Sequence, residues 1–217
     1  MSSKSWQWNN EKNVWEEVAG KVKVPPQQKP KPFTREEITM IITAFRGDRY
    51  YKPYADYVEF LFGTGCRTGE VIGLRWKHLS DDCSIAWIGE SFVRGTRKAT
   101  KTNRDRVIAL TPRLQKMILE RRPENFVADD FVFKTPNGKP IDDNNFRNRA
   151  WKSILTKLGI DYRKPYNTRH TLISHALDMG MNPVMVAQMT GHDVGTLYDN
   201  YAGSVNSRPR LPELHPV

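Results

Sequence analysis

The apolar positions of this chain follow a helical rhythm first, then short alternating runs, then a helical rhythm again. "FTREEITMIITAFRG" repeats its apolar residues at three- and four-residue spacing, with Thr34 placed as N-cap, Glu37 completing a capping box and Gly47 as a stop. A second helix is predicted through "YADYVEFLFGTG" and a shorter third through "RTGEVIGLRW". Asp81 and Asp82 mark a turn. After it "SIAWI", "ESFVR" and "DRVIAL" predict three short strands, being β-branched and aromatic and separated by Gly and polar residues. Helices resume at "TPRLQKMILERR", where Pro112 suits the first helical position after Thr111, and continue through "DDNNFRNRAWKSILTKLG" to Gly159. "TRHTLISHALDMG" and "PVMVAQMTG" follow as two more. The expected class is α+β, mainly α with a small three-stranded antiparallel sheet. Ahead of this, "SWQWNNEKNVWEEVAGKVKV" is polar and "PPQQKPKP" reads as an extended linker, so the folded domain is expected to begin near Phe33.

Composition narrows the partner. The 217 residues suffice for one good-sized core, and 34 Lys+Arg against 24 Asp+Glu leave a net charge of +10, which favours a polyanion. No apolar run is long enough to span a bilayer, and "MSSKSWQWNNEKN" lacks the apolar centre of a signal peptide, so a cytoplasmic location is expected. Cys66 and Cys83 have no CxxC spacing and read as reduced thiols.

The basic residues suit phosphoryl chemistry. A phosphodiester under attack gathers charge on its non-bridging oxygens, and guanidinium forks pair with two such oxygens at once. Arg67 in "GTGCRTGEV" and Arg169 in "YNTRHTL" both sit at helix starts, and Glu70, three residues after Arg67, shares its helical face. A solvated Arg–Glu pair is the plainer reading of either arginine alone. Lys101, in the turn before the last strand, could protonate a leaving 5′-oxygen as a general acid, with Lys98 competing for any such role. Arg94, Arg97, Lys98 and Arg104 flank the same turn as backbone-phosphate contacts.

Taken in order, "GCRTGEVIGLRW", "KTNRDRVIAL", "NTRHTLISHAL" and "GHDVGTLYDNYAG" resemble the catalytic domain of the tyrosine recombinases, the phage-integrase type of site-specific recombinase, from about Phe33 to Tyr201. Order, spacing and flanking glycines carry the likeness, since each motif singly is made of common residues. By that resemblance Arg67 and Arg169 are the two family arginines, Glu70 the acidic residue, Lys101 the hairpin lysine and His192 the histidine at the scissile phosphate. The family nucleophile falls nine residues beyond that histidine, at Tyr201, with Tyr198 as the alternative. One position departs from the pattern: Tyr166 stands where a histidine is common, three residues before Arg169. A phenol, with an ordinary pKa near 10, orients a phosphate better than it takes a proton near neutral pH.

The resemblance implies metal-free and cofactor-free cleavage and rejoining of double-stranded DNA through a 3′-phosphotyrosine, on a tetramer of self-associated chains. It divides the chain into a remnant of a DNA-binding domain plus linker (1–32), a catalytic domain (33–203) and a C-terminal tail (204–217). The rivals are a catalytically impaired DNA-binding protein of the same fold and a type IB topoisomerase. The Asp81–Asp82, Asp129–Asp130 and Asp142–Asp143 doublets fit turns and caps better than a nuclease metal site, and His170 and His175 are wrongly spaced for zinc. No basic amphipathic helix favours a membrane surface.

Overall fold

Thr34 opens helix α1 (Arg35–Gly47) through the expected capping box: its Oγ1 accepts from the Glu37 amide at 3.1 Å, and Glu37 Oε2 accepts from the Thr34 amide at 2.9 Å. The computed structural model describes residues 31–99 and 105–201, with only the backbone course at 98–99 and 198–201. Lys101, Arg104, the segment before residue 31 and the tail from residue 202 lie outside the described residues. Thr34→Ala is expected to cost about 1 kcal/mol, read as a lower denaturant midpoint at unchanged slope. A loss of only a few tenths would mean that the ion pair from Arg163 to Glu37 holds the helix start without the cap.

Helix α2 (Ala55–Thr64) is the central rod, with Tyr57, Val58, Phe60 and Leu61 all fully buried, as expected of a helix that is apolar all round. Gly65 ends it at φ 61°, its amide bonded to the Leu61 carbonyl at 3.0 Å. A Cβ there would stand 2.6 Å from Leu172 Cδ2, so both the left-handed turn and the close helix behind it require glycine. Helix α3 (Thr68–Ile72) follows, with Gly69 and Gly73 four apart on one face. A Cβ on Gly73 would lie 3.0 Å from the Phe92 amide nitrogen, and this bare face is what lets a strand press directly on the helix backbone.

That strand belongs to one of two ladders. Strands β1 (Ile85–Ile88) and β4 (Arg106–Ala109) pair antiparallel, and β2 (Glu90–Val93) pairs antiparallel with β3 (Thr96–Ala99) across the Arg94–Gly95 turn. The mainly α class is as expected, but the sheet differs from the single three-stranded one predicted: the described residues form two separate two-stranded ladders. "TRKA" is polar and carries no alternation to announce a strand. It pairs because a two-residue turn folds it back, and because Arg97 forks onto Glu90, its diagonal neighbour across the ladder. Gly89 separates β1 from β2, with the Trp87 ring packed where its Cβ would be.

Helix α4 (Pro112–Arg121) starts at the Thr111 cap as expected. The next predicted helix is broken: α5 (Asp143–Asn145) passes through a π-helical stretch, Phe146–Trp151, into α6 (Lys152–Lys157). Phe146 and Trp151, five residues apart, would diverge by roughly 140° on an α-helix. The wider turn brings both inward, where they are essentially fully buried. Trp151 packs against Phe33, Phe45 and Phe62 and donates from Nε1 to the Arg163 carbonyl at 2.7 Å.

These elements share one large core. Helices α7 (Asn167–Asp178), α8 (Pro183–Thr190) and α9 (Val194–Tyr201) surround a second, smaller one made of Ile173, Ala176, Leu177, Val186, Ala187 and Leu197. The chain entering at Phe33 is tied to α7 by its amide, which donates to Thr171 Oγ1 at 2.9 Å. No helix among the described residues is long and apolar enough to cross a membrane.

Candidate active site

Four of the residues singled out in the sequence meet where the two cores abut. Arg67 caps α3, Glu70 lies one turn on, Arg169 sits in the first turn of α7, and His192 follows Gly191, whose φ of 66° ends α8. Glu70 is nearly fully buried and does three things. Its Oε2 accepts from the Arg67 amide at 2.9 Å, its Oε1 accepts from Arg67 Nη1 at 2.8 Å, and both oxygens accept from Arg106. This is not the solvated surface pair that either arginine alone would suggest. Burial pushes the Glu70 carboxyl up, but hydrogen bonds and charge from Arg106 and Arg67 outweigh it and hold it below the usual range, so it is an anion at neutral pH.

Arg169 is fully buried, with Nη1 donating to the Gly65 carbonyl at 2.9 Å and Nη2 3.0 Å from His192 Nδ1. Burial, then the neighbouring Arg67 charge, pulls its guanidinium down to about 10. At neutral pH it still carries its proton. His192 is pulled down to about 3, first by burial and then by Arg169 and Arg67. Arg169 Nη2 also lies 3.4 Å from Nε2, and Thr190 Oγ1, which donates to the Val186 carbonyl at 2.6 Å, lies 3.0 Å from Nδ1, so the neutral ring divides one N–H and one lone pair among these partners.

The expected result is a His192 imidazole that stays neutral from pH 5 to 9, read from its ring signals in heteronuclear NMR. A midpoint near the ordinary 6.5 would contradict this environment. Because the folded value is depressed, the unfolded chain takes up the proton first. Stability conferred by this site is therefore present above pH 6.5 and is lost as pH falls toward 3.

Tyr166 immediately precedes α7, partly exposed, its ring edge-on to His170 at 5.0 Å between centroids. It neighbours the site without bonding to Arg67, Glu70 or His192 among the contacts described. Tyr198 and Tyr201 both fall in α9, which Leu197 anchors to the smaller core. Arg94 stands exposed in the β2–β3 turn, and Arg97 is engaged by Glu90. Lys98 has only its backbone described.

One site residue escaped the sequence reading. Arg106 opens β4 with its side chain 7% exposed, within the "DRVIAL" run read only as a short strand. Alternation along β4 was the available signal: Arg106 shares the inward side with buried Ile108, and a cation facing inward needs a carboxylate. The aspartate doublets serve as turns and caps: Asp82 accepts from Ser80 and Ser84, and Asp142 caps α5. Among the described residues, no three His, Cys, Asp or Glu side chains gather as a metal site.

Residues 31–207 match the phage integrase family. The chain is 29% identical over 187 residues to a tyrosine recombinase XerC-like protein of Caldanaerobacter subterraneus subsp. tengcongensis, covering 74% of this chain and 46% of that protein. It is 26% identical over 152 residues to the integrase of Salmonella phage P22, covering 66% of this chain and 37% of the integrase. The chain thus spans about half or less of the length of these relatives. In fold it is similar to the Tn1549 transposon integrase solved with a circular intermediate DNA, at a TM-score of 0.71 and 21% identity, covering 82% of this chain and 63% of that one. It is also similar to the XerA recombinase, at 0.64 and 21%, covering 89% and 72%.

Proposed function

Because this chain belongs to the phage integrase family, we propose that it cleaves and rejoins double-stranded DNA at specific sites, with Tyr201 as nucleophile. The observation that carries this reading is the convergence of Arg67, Glu70, Arg169 and His192, drawn from three separate stretches of chain, onto one cationic site.

In the proposed step the Tyr201 phenol oxygen forms a bond to the scissile phosphorus as the bond to the 5′-oxygen breaks. The phenol proton leaves to solvent, and Lys101 protonates the departing 5′-oxygen. The chain's own groups are arranged for the charge that develops between. Arg67, with its side chain about one-third exposed, is the guanidinium a phosphate meets first. A neutral His192 offers its ring N–H to a non-bridging oxygen, and Arg169 beside it supplies charge. Since Arg169 is enclosed here, its direct pairing with phosphate requires the site to open. A 5′-hydroxyl of another strand reverses the step, so exchange needs no external energy source. The net charge of +10 supports DNA as the partner, and assembly as a tetramer on paired sites follows from the same reading.

Tyr166, standing where the family commonly has a histidine and packed on His170, favours one second reading: a DNA-binding protein of this fold with impaired catalysis. Nicked duplexes of randomised sequence, in which cleavage releases a short fragment and traps the adduct, separate the two. Covalent adducts recovered under denaturing conditions with EDTA present are expected. A folded chain that binds duplex yet forms none supports the second reading instead.

A further inference from the structure

Arg106, a residue with no role assigned to it so far, makes as many side-chain contacts at this site as Glu70. Its Nη2 donates to Glu70 Oε2 at 2.8 Å and its Nη1 to Oε1 at 3.2 Å, while Nε donates to the Met189 carbonyl at 2.8 Å. Nη2 also lies 3.3 Å from Cys66 Sγ, and a Cβ on Gly191 would stand 3.1 Å from Nη1. One side chain on β4 thus grips α3, the turn before it and the end of α8 next to His192. From this geometry we infer that Arg106 is a positioning residue for DNA cleavage, fixing Glu70, and through it Arg67, against the turn that carries His192. The inference rests on the recombinase reading of the site.

The hydrogen-bond pattern says why a merely structural ion pair would look different. Each Glu70 oxygen is shared: Oε1 between Arg67 Nη1 and Arg106 Nη1, Oε2 between the Arg67 amide and Arg106 Nη2. With both oxygens pinned from the β4 side, the carboxylate has one orientation to offer Arg67, whose Nη2 then reaches toward the Gly191 carbonyl at 3.4 Å. Removing Arg106 frees the carboxylate to rotate and to pair wholly with Arg67, withdrawing that fork from an incoming phosphate. It also leaves Glu70 buried with one cation fewer. The groups that face this carboxylate are then Arg67 on its own helix, the Cys66 thiol before it and Arg169 from α7. From β2, Glu90 is engaged by Arg97.

The test compares the parent with Arg106→Met and Arg106→Lys in single-turnover cleavage at saturating nicked duplex, alongside duplex affinity, thermal melting and the pH dependence of cleavage. Arg106→Met is expected to cleave about 100-fold more slowly, the size of loss that misplacing a reacting group by an ångström brings, with affinity little changed. Its acid limb should move to higher pH, because a carboxylate stripped of one cation takes up a proton sooner. Arg106→Lys keeps the charge but not the fork, so its rate should fall while its acid limb stays near the parent's. If Arg106→Met does not fold, Arg106→Lys carries the test alone. Either folded variant cleaving at the parental rate overturns the inference. A parent that forms no adduct would instead remove the recombinase reading, and the inference with it.

Discussion

Tyr201→Phe abolishes the covalent protein–DNA adduct, while Tyr198→Phe leaves it. That is the expected outcome of the largest single change this chain admits, because in the proposed step the Tyr201 phenol oxygen bonds to phosphorus, and no neighbour restores an atom that has been deleted. Position 201 closes α9, one helical turn beyond the buried Leu197 that fastens this helix to the smaller core. Duplex affinity and melting temperature should be parental in both variants, since a lone hydroxyl contributes little to either. The readout is the adduct band under denaturing conditions with EDTA present. Loss of the band in Tyr198→Phe with retention in Tyr201→Phe would move the nucleophile one turn upstream.

Arg169→Met should lower single-turnover cleavage by about 1,000-fold, the scale of losing one preorganised donor from a site where negative charge develops. The same variant should melt within a few degrees of the parent. A guanidinium pulled down to about 10 carries a penalty on the order of 3 kcal/mol for being held charged away from water. Neutral pH lies well below that value, so the penalty is fully in force; it is relieved only as pH rises through 10 and beyond. Against it stands the charged hydrogen bond to the Gly65 carbonyl, worth about 1.5–3 kcal/mol. The two nearly cancel, and methionine fills the space without burying a charge. An activity loss accompanied by a fall of many degrees in melting temperature would mark Arg169 as a structural residue and sink this account.

The parts legible in the sequence were those whose partners lie close along the chain. The Thr34–Glu37 capping box and the Arg67–Glu70 pair both span three residues, and both form as the local pattern dictates. The meeting of Arg67, Arg169 and His192 came from motif resemblance, because no local rule relates residues a hundred positions apart. Arg106 was missed for the complementary reason: its bonds run 36 residues to Glu70 and 83 to Met189, and only the inward alternation of β4 hinted at them. Strand β3 was missed because its pairing depends on a turn and a cross-strand ion pair rather than on apolar residues. The π-helical turn at Phe146–Trp151 was invisible because it answers to where two aromatic side chains must go in the assembled core.

The division into a large and a small core has a bearing on how this protein would fail under stress. Arg67, Glu70 and Arg106 are rooted in the large core, whereas Arg169 and His192 belong to the helices around the small one. The seam between them is closed at this site by a few polar contacts: Arg106 to Met189, Arg67 to Gly191 and Arg169 to Gly65. Six buried residues hold far less free energy than the larger cluster, and α7 is held to α2 by close packing at Gly65, so α8 and α9 are the natural candidates for partial, reversible opening while the rest stays folded. Such opening parts the seam and dismantles the site without denaturing the molecule. Heat or denaturant would then silence the proposed cleavage before unfolding the chain, and DNA bound across the seam would protect that activity more than it raises the melting point.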